Sequence, residues 1–251
     1  MSLIVSAATY RYPGAPRPAV DGAGFTLERG RVIALVGANG AGKSTLLAIA
    51  AGRMRPETGE ATADGQNLSR LPPRVLARTI ASLPQSERVP FDFSCLEFAL
   101  FGTAAHVNPF AFPGEAEIEK ARRALGVLGV GYLEERPVTG ISLGELQLVR
   151  IARCVVQDAP WMLLDEPTAM LDPCHARAVG SAIRGLAEAG RGIFFSTHDI
   201  AFAASVADGA LSLKAGRVIA SGAASEVLVP AVLEETFGVP FEMRSVPAAA
   251  R

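Results

Sequence analysis

Apolar and polar positions along this chain change period several times, and each change marks an element. Val32-Ile33-Ala34-Leu35-Val36 is an unbroken apolar run of strand length, the pattern of a strand covered on both faces. Trp161-Met162-Leu163-Leu164 and Gly192-Ile193-Phe194-Phe195 repeat it, and Thr79 to Leu83 is a further candidate. Helical stretches lie between them: Leu46 to Ala51, closed by Gly52, and Ala176 to Ala189, closed by Gly190. A glycine just past the last turn is a common helix stop. Strands alternating with helices predict an α/β fold, a parallel sheet with helices on its faces. The middle of the chain breaks the alternation. Pro90 to Pro113 is aromatic and punctuated by proline, and Ile118, Ala121, Leu125 and Leu128 then follow one helical face, a stripe that reads as core. Residues 88–153 therefore read as a helical subdomain inserted into an α/β core formed by 1–87 and 154–251. Near the end, Ala210 to Leu213 and Arg217 to Ala220 read as a hairpin turned at Lys214-Ala215-Gly216.

Composition narrows the function classes. A chain of 251 residues suits one domain carrying a sizeable insertion. The net charge of −1 provides no basic excess to cover phosphates along a duplex, so no nucleic-acid partner is expected. Cys95, Cys154 and Cys174 are odd in number and far apart. They form neither a disulfide framework nor a metal spacing, and they fit a reducing compartment. The longest stretch free of Asp, Glu, Lys and Arg, Phe98 to Gly114, has 17 residues. It is broken by glycine and proline and falls short of the roughly 20 apolar residues of a membrane helix. The N-terminal segment has no basic region ahead of its apolar run, so no signal peptide is expected there.

Three motifs carry chemistry. Gly37-Ala38-Asn39-Gly40-Ala41-Gly42-Lys43-Ser44 fits the phosphate-binding pattern G-x-x-x-x-G-K-[ST]. Glycines let backbone N–H groups converge on oxyanions, and the following helix offers its positive end. Lys43 supplies a compact point charge, and Ser44 a hydroxyl that can ligate Mg²⁺. The apolar run before the loop and the helix after it supply the expected setting. Asp165-Glu166 ends a buried run, where two adjacent carboxylates are costly unless a cation is near. Mg²⁺ at nucleotide phosphates would be that cation, with Asp165 in the metal's shell and Glu166 polarising an attacking water. Ser142-Leu143-Gly144-Glu145 fits the helix capping box S-x-x-E, which also makes an anion site at a helix N-terminus.

In this order the motifs resemble those of the nucleotide-binding subunit of ABC transporters, over nearly the whole chain. Gly37 to Thr45 matches Walker A, Gln85 the Q-loop, and Ile141 to Gln147 the signature. Leu163 to Thr168 matches Walker B, Ala169 to Asp172 the D-loop, and Ser196 to Asp199 the switch histidine, His198. The resemblance implies a P-loop NTPase core with an inserted helical subdomain and a small N-terminal antiparallel β region. It implies ATP and Mg²⁺ as ligands. Gly37, Ala38, Asn39, Gly40, Ala41, Gly42, Lys43, Ser44 and Thr45 would hold the phosphates. Ser44, Gln85 and Asp165 would serve the metal, Glu166 would be the general base, and His198 would contact the γ-phosphate. Tyr12 stands where the family stacks an aromatic on adenine; Tyr10 competes with it, and spacing favours Tyr12. Ser142 and Gly144 would act in trans across a head-to-tail homodimer that sandwiches ATP, with Asp172 coupling the two sites. His106 and His175 read as surface residues.

Departures and placement follow from the same comparison of motifs. The family usually has glycine where Leu143 stands, and a helical backbone at 143 would keep its N–H available while the side chain points elsewhere. Glu97 to Gly102, Ala220 to Leu228 and Leu233 to Pro240 resemble the importer branch for iron–siderophore, haem and cobalamin. That branch implies integral membrane permease subunits, a solute-binding protein reached indirectly, and the cytoplasmic face of a prokaryotic inner membrane. A molybdate-type oxyanion importer and a soluble iron–sulfur assembly ATPase are the alternatives. A chain that binds nucleotide without turning it over, because of Leu143, is a third.

Overall fold

The computed structural model describes residues 1–85, 91–107 and 113–242. Two sheets organise them. Strands β1 (Ser2–Tyr10), β2 (Val20–Glu28), β4 (Thr58–Ala63) and β5 (Gln66–Asn67) form an antiparallel sheet in the order β2-β1-β4-β5. This is the expected N-terminal antiparallel region, but half its strands come from after the phosphate loop. They escape a reading by apolar runs, because only alternate residues such as Leu3 and Val5 are fully buried.

The second sheet holds β3 (Val32–Val36), β6 (Ile80–Leu83), β7 (Trp161–Asp165), β8 (Gly192–Thr197), β9 (Gly209–Lys214) and β10 (Arg217–Ala223) in the order β10-β9-β3-β8-β7-β6. All neighbours run parallel except the β9–β10 hairpin. Every residue of β7 and β8 is buried, which is why these strands are continuously apolar in sequence.

Helix α1 (Lys43–Ala50) begins three residues earlier than the apolar run suggests, directly after the loop glycine. Thr79 closes α2 (Pro73–Thr79) and does not open β6. The inserted helices are α3 (Cys95–Leu100), α4 (Glu115–Val127) and α5 (Leu143–Val156). The proposed boundary at 88 lies outside the described residues, and α5 continues past 153. Of the predicted stripe, Ala121, Leu125 and Leu128 are buried in one cluster with Val149 of α5 and Leu164 of β7, while Ile118 is only partly buried and Ala124 joins the cluster instead. The segment from 108 to 112, within the predicted aromatic stretch, also lies outside the described residues. Helices α6 (Pro173–Glu188), α7 (Ile200–Val206), α8 (Ala224–Val227) and α9 (Pro230–Phe237) complete the chain. Among the described residues no helix is long and apolar enough to cross a membrane.

Candidate nucleotide site

Parallel pairing gathers the site. Strands β3, β8, β7 and β6 are neighbours running the same way, so their carboxyl ends share one edge, where open α/β sheets bind ligands. The glycine-rich loop leaves β3, Gln85 follows β6, Asp165 ends β7, and His198 follows β8.

The loop is built on backbone approaches that exclude side chains. A Cβ on Gly37 would stand 2.3 Å from the Leu213 carbonyl oxygen, and one on Gly42 would stand 2.2 Å from that of Ala19. Gly42 also holds φ +104° and precedes α1, so the first amides of that helix open on the loop. Lys43 is buried, and its Nζ donates to the Gly37 and Ala38 carbonyls at 2.8 and 3.2 Å. Ala41 turns its side chain into the core, and its carbonyl accepts the Gly216 N–H at 2.8 Å.

The acid pair sits opposite. Asp165 and Glu166 are 6% and 7% exposed. The Glu166 carboxylate lies 2.8 Å from His198 Nδ1 through Oε2 and 3.8 Å from Lys43 Nζ through Oε1. Ser196, fully buried on β8, donates its hydroxyl to Asp165 Oδ1 at 2.5 Å and accepts the Glu166 N–H at 2.9 Å. Glu166 holds φ +51°, a conformation that costs a non-glycine residue on the order of 1–3 kcal/mol and must be held by its surroundings.

Tyr12, Asn39, Gly40, Gly42, Lys43, Ser44, Thr45, Gln85, Asp165 and Glu166 line one cavity of about 420 Å³. An adjoining cavity shares Asn39, Gln85 and Glu166 and adds Gly37, Ala38, Ala169, His198 and Phe237. A larger groove of about 830 Å³, against α6 and α7, contains none of the phosphate-loop residues. Tyr12 is half-exposed, with its hydroxyl 3.1 Å from Thr45 Oγ1, whereas Tyr10 packs against the apolar core under the antiparallel sheet. Ser44, Gln85 and Asp165 offer the hard oxygen donors that Mg²⁺ takes. Among the described residues no cluster of three His, Cys, Asp or Glu could hold a metal.

Ser142, Gly144 and Asp172 line neither of these two cavities. Ser142 caps α5: its Oγ accepts the Glu145 N–H at 3.2 Å, while Glu145 Oε2 accepts the Ser142 N–H at 2.8 Å. Hydrogen bonds from the Ser142 side chain and amide, and from Tyr132, hold the Glu145 carboxyl below its ordinary pKa. Leu143 opens the helix in the helical conformation, with its side chain 67% exposed. A Cβ on Gly144 would stand 3.4 Å from the Met170 carbonyl oxygen, so the signature and D-loop segments abut. Asp172 caps α6 by accepting the Cys174 and His175 amides at 2.8 and 2.9 Å. His175 is at the surface, partly exposed, with its Nδ1 2.6 Å from Asp172 Oδ2. His106 is exposed, as expected.

Sequence reasoning missed Ser196, Gln147 and Arg150. Arg150 is 6% exposed and donates to Gln147 Oε1 at 2.8 Å and to the Pro84 carbonyl at 2.7 Å. Gln147 Nε2 approaches the Pro167 and Glu166 carbonyls at 3.3 and 3.4 Å. The pair ties α5 to the residue before Gln85 and to the backbone of the acid pair. The available signal was an arginine amid Leu148, Val149, Ile151 and Ala152, all buried. Ser196 gave no signal, because serine in a buried strand is chemically silent until its neighbours are known.

The ABC transporter family model matches residues 20–169, from β2 through the phosphate loop, the capped helix and the acid pair. The chain belongs to the ABC transporter family. Its ATP-binding chains hydrolyse ATP, and this one is an ABC ATPase. It is 36% identical over 232 residues to the hemin import ATP-binding protein HmuV of Myxococcus xanthus, covering 90% of this chain and 86% of that one. A second HmuV, from Gloeobacter violaceus, is 38% identical over 217 residues, covering 84% and 78%. Among solved structures, a proposed metal-chelate type ABC transporter in an inward-facing conformation superposes with a TM-score of 0.82 at 30% identity, covering 95% of this chain and 90% of that one.

Proposed function

We propose that this ABC ATPase powers a membrane importer for a metal chelate, with haem the first candidate cargo. The observation that carries the ATPase chemistry is the Glu166 carboxylate held between His198 and Lys43 at the mouth of the phosphate loop. The loop amides and Lys43 would hold the β- and γ-phosphates of ATP, and Tyr12 would stack on the base. Ser44, Gln85 and Asp165 would hold Mg²⁺ or its waters, and the ion neutralises charge on the phosphate oxygens when bound. Glu166 orients a water against the γ-phosphorus and accepts its proton as the phosphorus–oxygen bond to ADP breaks. His198 fixes the Glu166 carboxylate and faces the γ-phosphate.

The position of Ser142 and Gly144, away from their own chain's cavities, supports their acting in trans on the nucleotide of a second copy in a head-to-tail dimer, with Asp172 at the junction. Resemblance to the HmuV chains and to the metal-chelate type transporter supports the importer reading, with permease subunits in the membrane and this chain on its cytoplasmic face. The test is Mg-ATP turnover by the purified chain, alone and with its permease, with Glu166→Gln as control. Loss of turnover by about 10²–10⁴-fold in the variant is expected for a missing base. Rapid turnover by Glu166→Gln would remove Glu166 from that role. Stimulation of the wild type by haem-loaded binding protein and permease identifies the cargo; a permease that responds only to another chelate reassigns it.

A further inference from the structure

We propose that Ser196 is a positioning residue that sets the geometry of both acids of the site. The inference rests on the ATPase reading above. Ser196 is directly paired with Asp165 across the parallel β7–β8 ladder, so the two side chains stand on the same face. A serine hydroxyl has a single proton. The Glu166 N–H can only donate, so at 2.9 Å it occupies a lone pair on Ser196 Oγ. The one proton is thereby directed at Asp165 Oδ1, 2.5 Å away. This fixes the carboxylate's rotation and leaves Asp165 Oδ2 outside that bond, on a residue that lines the cavity.

The same hydroxyl holds Glu166 by its backbone at φ +51°, a conformation that needs an external anchor. His198, two residues further along, holds Glu166 by its carboxylate. His198 lies just past the end of β8, so the last part of the strand and the residue after it hold the base at both ends. One contact fixes the main chain and the other fixes the reacting oxygens. Ser196 is wholly buried, and its hydroxyl is taken up by the two acids, so it acts through them.

Three variants separate this role from packing. Ser196→Ala removes the hydroxyl, Ser196→Cys keeps the volume with a weak donor, and Ser196→Thr keeps the hydroxyl on a residue suited to a strand. Supporting partners of metal ligands are worth about 10–100-fold in affinity or activity. Ala and Cys should therefore lower kcat by roughly 10–100-fold and raise the Mg²⁺ concentration needed for half-maximal binding of a fluorescent ATP analogue by at least about tenfold. Affinity for that analogue in EDTA should stay unchanged, and Thr should recover most of both losses. Fluorescence of Trp161, the one tryptophan, reports whether each variant is folded. Wild-type kcat and Mg²⁺ dependence in folded Cys or Ala variants would overturn the proposal, as would equal losses in Thr and Cys. If the wild type binds Mg-ATP without hydrolysing it, the ATPase reading fails separately, and the Mg²⁺ shift still decides the role of Ser196.

Discussion

Tyr12 shows how much one side chain can decide. Tyr12 is 43% exposed and lines the cavity, with its ring edge-on to that of Tyr10 at 5.1 Å and its hydroxyl tethered to Thr45. An aromatic ring lining a nucleotide cavity is suited to a nucleobase, and base–aromatic stacking is worth about 1–3 kcal/mol. Tyr12→Ala should weaken ATP binding roughly ten- to a hundredfold, while Tyr12→Phe, which loses only the hydroxyl, should stay within about threefold. Titration calorimetry checks both; equal losses would place the value of Tyr12 in its hydroxyl. At this scale the sequence was legible wherever a residue type is chemically rare in its setting. Lys43 after glycines and Asp165-Glu166 after an apolar strand are such cases. Ser196 was not legible, because its importance lies in two hydrogen bonds to residues some thirty positions away.

Among the elements, α5 has the most to do. Its capping box presents the signature segment, and Gln147 and Arg150 on its buried side reach the neighbours of Gln85 and Glu166. Hydrogen bonds thus connect this helix to the backbone beside both the Q-loop glutamine and the acid pair. Ser142→Ala opens the box and should cost about 1 kcal/mol, measured by denaturant unfolding. The box also depends on pH. The folded Glu145 carboxyl titrates below its unfolded value, so its contribution is present above the ordinary carboxylate range and is lost as pH falls through the lowered folded value. The stability difference between wild type and Glu145→Gln should therefore be constant near neutrality and shrink only in acid. A difference that grows toward acid would refute the cap. The apolar run of α1 opens at Leu46, three residues inside the helix, for a related reason. A helix begins at its backbone cap, as α1 does at Gly42, and not at its first apolar residue.

For the whole molecule, the central fact is that Ser142, Gly144 and Asp172 stand apart from the cavities that hold the phosphate loop and acid pair. If two copies complete each other's sites, turnover should rise faster than linearly with protein concentration until the dimer saturates. Glu166→Gln should accumulate as an ATP-bound dimer in size-exclusion chromatography. Strictly linear turnover, with monomeric Glu166→Gln in ATP, would show that one chain suffices. Leu143, open to solvent at the start of α5, makes this a sensitive test, because it stands on the surface that would meet the second copy.

The sequence by itself determined the phosphate loop, the acid pair, the buried parallel strands and the family. The first three are local, each a contiguous pattern whose meaning follows from periodicity or from backbone sterics within a few residues, and the family follows from the order of the motifs along the chain. Tertiary structure alone decided which strands join the antiparallel sheet, that Ser196 and His198 hold the base from both ends, and that Arg150 links α5 to the Q-loop. Those facts depend on strand order and register, which bring distant positions within hydrogen-bond distance, and no local pattern of residues encodes them.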